Sequence, residues 1–232
     1  MVFDSFRWYY GFDGKFRIFQ AAYKLERINY GAPILNMPTI PKEKLFACLK
    51  IYMEGARDNG YIPDPARNQS LYFQANLIST GNTIKLAAAD EVFVAVVGRI
   101  TNDLFANTKE SVRIRVETER VRNFDGSLIY VKTPSNYAST FGPDKQTKDM
   151  GYDISMWLYN EKCKKQCIAE LSMANVFFVM KDRYNPNKRI LVTMREKYIV
   201  FPGSFRNATI TIAQSFVRIT LSFNKRINTL LL

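Results

Sequence analysis

Between Pro41 and Ala56, Leu45, Phe46, Cys48, Leu49, Tyr52, Met53 and Ala56 recur at i, i+3, i+4 and i+7. Soon afterwards two apolar runs, Leu71–Ile78 and Val92–Gly98, read as strands joined through a turn at Gly81-Asn82. A helix with one apolar stripe followed by paired strands has to bury that stripe on a sheet, which confines the fold to the mixed α/β (α+β) class. Asp58-Asn-Gly60 supplies the helix stop.

Around this centre the remaining segments can be assigned. Phe16–Phe19 is expected to be a strand, and the segment from about Gln20 to Ile34 a helix that Pro33 ends or kinks. Residues 1–98 thus read as a small α/β domain. The polar, aperiodic stretch 99–111 reads as an interdomain linker, and 112–232 as a second domain. In that domain strands are expected at Val112–Val116, Asp153–Tyr159 and Ala174–Lys181, with a turn over Asp182–Asn187 before Ile190. Arg113–Glu119 alternates as the wet face of a strand does. Leu128–Val131 reads as a short buried strand, and a short helix is expected to start near Asn136. The C-terminal stretch admits two readings. Thr209–Ile212 and Val217–Leu221 are β-branched and alternate as strands do, while the family resemblance carried by the segments quoted below implies a helix starting over Phe205–Ala213.

Composition narrows the chemistry. The chain has no histidine, which removes Ser-His and Cys-His nucleophile systems and the commonest general acid–base. Proton transfer then falls to a lysine, a carboxylate or a cofactor. The three cysteines, Cys48, Cys163 and Cys167, read as free thiols of a reducing compartment; Cys163 and Cys167 lack the further ligands a structural zinc needs, so no metal is expected. No apolar run reaches bilayer-spanning length and no signal-peptide pattern follows Met1, so a cytoplasmic chain without membrane association is expected. The net charge of +12 is dispersed and accompanies no nucleic-acid module, so no nucleic-acid partner is expected either.

The segment Lys132-Thr-Pro-Ser-Asn-Tyr137 places a lysine where an apolar run hands over to a loop, and Glu170-Leu-Ser-Met-Ala-Asn175 follows it. Flanking segments occur in an order that resembles branched-chain amino acid aminotransferases of the fold-type IV family, from about Val2 to Ala213. Val2-Phe-Asp-Ser5 is similar to that family's V-F-E-G, and Asp13–Phe19 to D-G-K-I-R-L-F. Arg27-Ile28 is similar to the Arg-Leu of its phosphate-binding helix, and Met37–Pro41 to M-P-x-x-P. Ser70–Gln74 corresponds to the L-Y-x-R strand, Asn136-Tyr137-Ala138 and Ala174-Asn175 recur, and Phe201–Ala208 is similar to L-P-G-I-T-R-D-A.

The resemblance implies a two-domain fold-type IV architecture, incomplete at both ends, with pyridoxal 5'-phosphate (PLP) held between the domains. It implies a Schiff base on Lys132. Tyr137 would steady the ring's phenolate oxygen, and Glu170 would keep the ring nitrogen protonated. Arg27 and the amides of Ser204 and Phe205 would hold the phosphate, and Phe3, Tyr72 and Gln74 would line the substrate. The implied activity is transamination of leucine, isoleucine and valine with 2-oxoglutarate, in a homodimer. Departures from the family pattern are specific: Thr133-Pro134-Ser135 replaces a glycine-containing turn, Phe205 a threonine, Gln74 an arginine, and Asp4-Ser5 a Glu-Gly pair. They support the alternative of a catalytically impaired relative that acts as a binding or scaffold protein.

Overall fold

The computed structural model describes residues 1–81, 91–102, 111–160, 166–194, 200–216, 222–224 and 227–231. Fold class follows the sequence reading. The chain divides into one unit comprising Met1–Glu110 with Val131–Pro134, and another comprising Ser111–Tyr130 with Ser135–Leu232.

In the first unit, β1 (Val2–Tyr10), β2 (Phe16–Ile18), β3 (Ser70–Thr80) and β4 (Glu91–Thr101) form an antiparallel sheet in the order β2-β1-β3-β4. The helices are α1 (Ala21–Ile34) and α2 (Lys42–Asp58). Pro33 lies in the last turn of α1, and the chain turns out at Asn36 with a positive φ of 52°. Of the apolar stripe expected along α2, Leu45, Leu49 and Met53 are buried and Tyr52 and Ala56 half-buried, whereas Phe46 and Cys48 are exposed. Alternation along β1 sends Val2, Asp4, Phe6 and Trp8 to the helix side. There Phe6 stacks on Phe73 at 5.4 Å and Tyr52 of α2 tilts against Phe73 at 5.6 Å. Gly98 is demanded by this packing, because a Cβ there would stand 2.7 Å from the Tyr52 hydroxyl and 2.8 Å from the Tyr72 carbonyl.

In the second unit, β5 (Ile114–Glu117), β6 (Ile154–Asn160) and β7 (Gln166–Leu171) form one sheet, with β5 and β6 parallel. The parallel pair needs a long crossover, which carries α3 (Ser135–Ala138) and α4 (Phe141–Asp149). β8 (Phe177–Lys181), β9 (Arg189–Met194), β10 (Ser222–Asn224) and β11 (Ile227–Leu231) form a second sheet in the order β10-β11-β9-β8. Helix α5 (Ser204–Phe216) settles the open C-terminal reading in favour of a helix. Its threonines back-bond one turn, Thr209 to the Phe205 carbonyl and Thr211 to the Asn207 carbonyl, which accommodates β-branched residues on an exposed helix face. Val217–Leu221, Asn82 and Cys163 lie outside the described residues.

Four expectations need correction. Leu128–Val131 is not a strand; Ile129 and Val131 are buried at 2% and 0% exposure, but the segment turns, and apolar content alone imitated a strand. Within the expected linker 99–111, Arg99–Thr101 continue β4, paired with Tyr72, Leu71 and Ser70, and 103–110 lie outside the described residues. Glu170 sits inside β7 rather than ahead of the next strand. Finally, the wet-face reading of Arg113–Glu119 fails at Glu117, which is fully buried because Arg115, Arg120 and the amides of Glu119 and Arg120 satisfy its carboxylate, while Ile114 and Val116 face outward.

Candidate active site

Residues directly opposed across an antiparallel ladder put their side chains on the same face. Phe3 opposes Asn76, Ser5 opposes Gln74 and Arg7 opposes Tyr72. The three expected substrate residues Phe3, Tyr72 and Gln74 therefore share the half-buried face of the β1–β3 pair, away from the helices. Here the Tyr72 hydroxyl donates to Ser5 Oγ at 2.7 Å, and the Arg7 guanidinium lies 5.5 Å over the Tyr72 ring and donates to Ser70 Oγ.

Lys132 reaches this same face although it lies far along the chain. The Phe3 amide donates to the Lys132 carbonyl at 3.0 Å, Val131 packs towards Gly31 and Val2 on the helix side, and Thr133 is buried. With its neighbours anchored, Lys132 points the other way, and its ammonium sits 4.7 Å over the Phe3 ring. Lys132, Phe3, Tyr72 and Gln74 are thus brought together within one unit.

Arg27 is not with them. It projects from α1 into the helix side of the sheet, 7% exposed, and gives a two-pronged pair to Asp4, Nε to Oδ2 at 2.7 Å and Nη2 to Oδ1 at 2.8 Å. It is no solvated helix arginine, and part of its fork is engaged by the residue that replaces the family glutamate. Beside this pair lies Lys24, which the sequence reading passed over. Only 3% exposed, its ammonium faces the rings of Phe6 and Phe19 at 5.6 and 5.7 Å. Burial pushes it from the ordinary 10.5 down to about 8, against the pull of Asp4 and with the added repulsion of Arg27, Lys132 and Arg7. The helical period was the available signal, since Lys24 falls on the stripe with Leu25, Ile28, Gly31 and Ala32.

The second unit gathers the other expected cofactor residues. Glu170, 2% exposed, accepts from Arg122 Nη1 at 2.8 Å on one oxygen, and from Asn175 Nδ2 at 3.1 Å and the Phe201 amide at 3.0 Å on the other. Arg122 also lies 5.3 Å over the Tyr137 ring. The Asn175 amide nitrogen donates to the Phe201 carbonyl, and Gly203 presses so closely on Asn175 that a Cβ would stand 2.0 Å from Oδ1. That places Ser204, 7% exposed, at the start of α5, whose first-turn amides are an anion-binding arrangement. Phe205 is 57% exposed and brings no hydroxyl.

These residues fit a PLP group. Arg122 Nε is buried without an acceptor among the described residues, so the cluster that orients Tyr137 and Glu170 has donor capacity its own unit does not use. Within the second unit the donor set matches parts of the group, a carboxylate for a ring N–H and helix amides for a phosphate; within the first, Lys132 offers an amine for a carbonyl.

No family model matches the chain. It is 27% identical over 180 residues to the branched-chain-amino-acid transaminase 1 of Bacillus subtilis (strain 168), covering 77% of this chain and 49% of that protein. It is 24% identical over 213 residues to the cytosolic branched-chain-amino-acid aminotransferase of Saccharomyces cerevisiae, covering 92% and 55%. The chain spans about half the length of the curated relatives it matches. Among solved structures, the branched-chain aminotransferase of the thermophilic archaeon Thermoproteus uzoniensis with norvaline superposes with a TM-score of 0.70 at 19% identity, covering 93% of this chain and 65% of that one. The PLP form of the Thermobaculum terrenum enzyme gives 0.68 at 17% identity, covering 93% and 64%. The chain is therefore similar in sequence, along most of its length, to branched-chain amino acid aminotransferases, and it shares the fold of the solved ones.

Proposed function

We propose that this protein carries out PLP-dependent transamination of leucine, isoleucine and valine with 2-oxoglutarate, as a cytoplasmic homodimer. The observation that carries the reading is the placement of the Lys132 amine over Phe3, on the face that also holds Tyr72 and Gln74. The relatives' names support the reaction, and "cytosolic" in the yeast relative's name supports the location. Among the described residues no helix is long and apolar enough to cross a membrane. The dimer carries over from the resemblance.

PLP, when bound, supplies the carbonyl that takes up an amino group and the conjugated ring that accepts the electron pair of the broken Cα–H bond. Lys132 would hold the group covalently until an amino acid displaces it. Its released amine would then take the α-proton and return it on the other side of the reaction. Glu170, held from both oxygens, would keep the ring N–H in place. Tyr137 would donate to the phenolate oxygen, and Ser204 at the head of α5 would meet the phosphate. The Phe3 ring would cover the apolar side chain that leucine, isoleucine and valine share.

A non-catalytic relative is the competing reading, favoured by the engagement of Arg27 with Asp4 and by Phe205. Absorbance titration with PLP, followed by a coupled transamination assay on leucine, isoleucine and valine with 2-oxoglutarate, separates the two. The catalytic reading predicts a visible band and turnover lost in Lys132→Ala. A band without turnover establishes the scaffold reading, and no band removes the PLP assignment.

A further inference from the structure

We propose that Arg122 is a positioning residue of this site, fixing the carboxylate of Glu170 and the ring of Tyr137 in one constellation so that both meet the same cofactor ring. The inference rests on the PLP reading above and concerns the second unit alone. One nitrogen, Nη1, gives 2.8 Å to Glu170 Oε1 and 2.9 Å to the Leu171 carbonyl, so the guanidinium grips the end of β7 by side chain and backbone together. The flat of the same group covers Tyr137 in α3 at 5.3 Å. A loop residue between β5 and α3 thereby ties two elements that sequence separates widely.

Stability alone is a weak reason for this arrangement. Arg122 and Glu170 are 3% and 2% exposed, and a buried ion pair is often matched or bettered by apolar residues of similar volume. A guanidinium kept only for packing would also have its donors satisfied, yet Nε is buried without an acceptor among the described residues. The opposite oxygen of Glu170 is set by Asn175 and the Phe201 amide, so the two ends of the carboxylate are oriented by different donors and its plane is fixed. Through Asn175 and Gly203 the same network continues to Ser204. Arg122 therefore connects Tyr137 to this network.

The test compares PLP affinity and the pH dependence of the bound-PLP absorbance in the wild type, Arg122→Met, Arg122→Lys and Arg115→Met, with far-UV circular dichroism as the check of fold. Arg115 pairs with Glu117, another buried carboxylate of the same unit outside the site, so Arg115→Met serves as the control for generic loss of an ion pair. The expected result is that Arg122→Met retains its fold, binds PLP at least tenfold more weakly and shifts the pH midpoint of the band. Arg122→Lys should recover part of the affinity, because an ammonium keeps the charge and loses the planar fork, and Arg115→Met should leave both readouts alone. Wild-type affinity and an unchanged pH response in Arg122→Met overturn the proposal while leaving the PLP reading standing. Equal losses in Arg115→Met, or unfolding of both Arg122 variants, make Arg122 a structural residue and overturn it too. Absence of PLP binding in the wild type brings down both readings together.

Discussion

Replacing Lys24 by methionine should stabilise the protein at neutral pH. The lysine ammonium is 3% exposed and its pKa falls from 10.5 to about 8. At 1.36 kcal/mol per unit, a difference of about 2.5 units corresponds to roughly 3 kcal/mol held against the folded state while Lys24 is charged in both states, which is the case below pH 8. As pH rises from about 8 towards 10.5, the folded protein gives up this proton while the unfolded chain retains it, so the unfolded state binds more protons and stability rises with pH in that window. Methionine has a straight chain of similar length and no charge, so it keeps the stem packing against Phe6 and Phe19. Urea unfolding at pH 7 and pH 9.5, followed by circular dichroism and tryptophan fluorescence, compares the two proteins. The variant should be more stable by about 2–3 kcal/mol at pH 7, and its advantage should shrink by roughly 2 kcal/mol at pH 9.5. An advantage that is absent, or equal at the two pH values, would mean that the buried Lys24 charge does not weigh against the folded state.

Arg27→Ala should cost about 3–5 kcal/mol in urea unfolding, because it strands the Asp4 carboxylate at 1% exposure. The double change Arg27→Gln with Asp4→Asn should recover most of that loss. Gly98→Ala should cost about 1–3 kcal/mol by the same assay, since its methyl would meet the Tyr72 carbonyl at 2.8 Å, which cannot swing aside. Gly203→Ala should displace Asn175 and weaken PLP binding measured by absorbance, more than it lowers the unfolding midpoint.

Local pattern made α2 legible by its helical period, and β3, β4 and β6 legible as short apolar runs of strand length. It left β1 unrecognised because the buried side of that strand reads Val2, Asp4, Phe6, Trp8, and Asp4 looks solvated until Arg27 supplies its partner. Glu117 misled for the same reason. For the candidate site, family-like segments are what bring Lys132, Tyr137, Glu170 and Ser204 forward as proposals. Arg122 was not, because what marks it is a pair with a carboxylate 48 residues away and a stack on Tyr137, neither of which leaves a periodic trace. Lys24 could have been found by period, but a lysine on an apolar stripe is usually a stem with its charge in water, and only the surrounding rings show otherwise.

Lys132 is the amine proposed to hold PLP. Incubating the protein with PLP, reducing with borohydride and mapping the phosphopyridoxyl group by peptide mass spectrometry reads out that role. A single dominant modification on the peptide containing Lys132, lost in Lys132→Ala while the far-UV spectrum is kept, is the predicted result. Modification spread over exposed lysines such as Lys50 and Lys145, with the Lys132 peptide unlabelled, would contradict it.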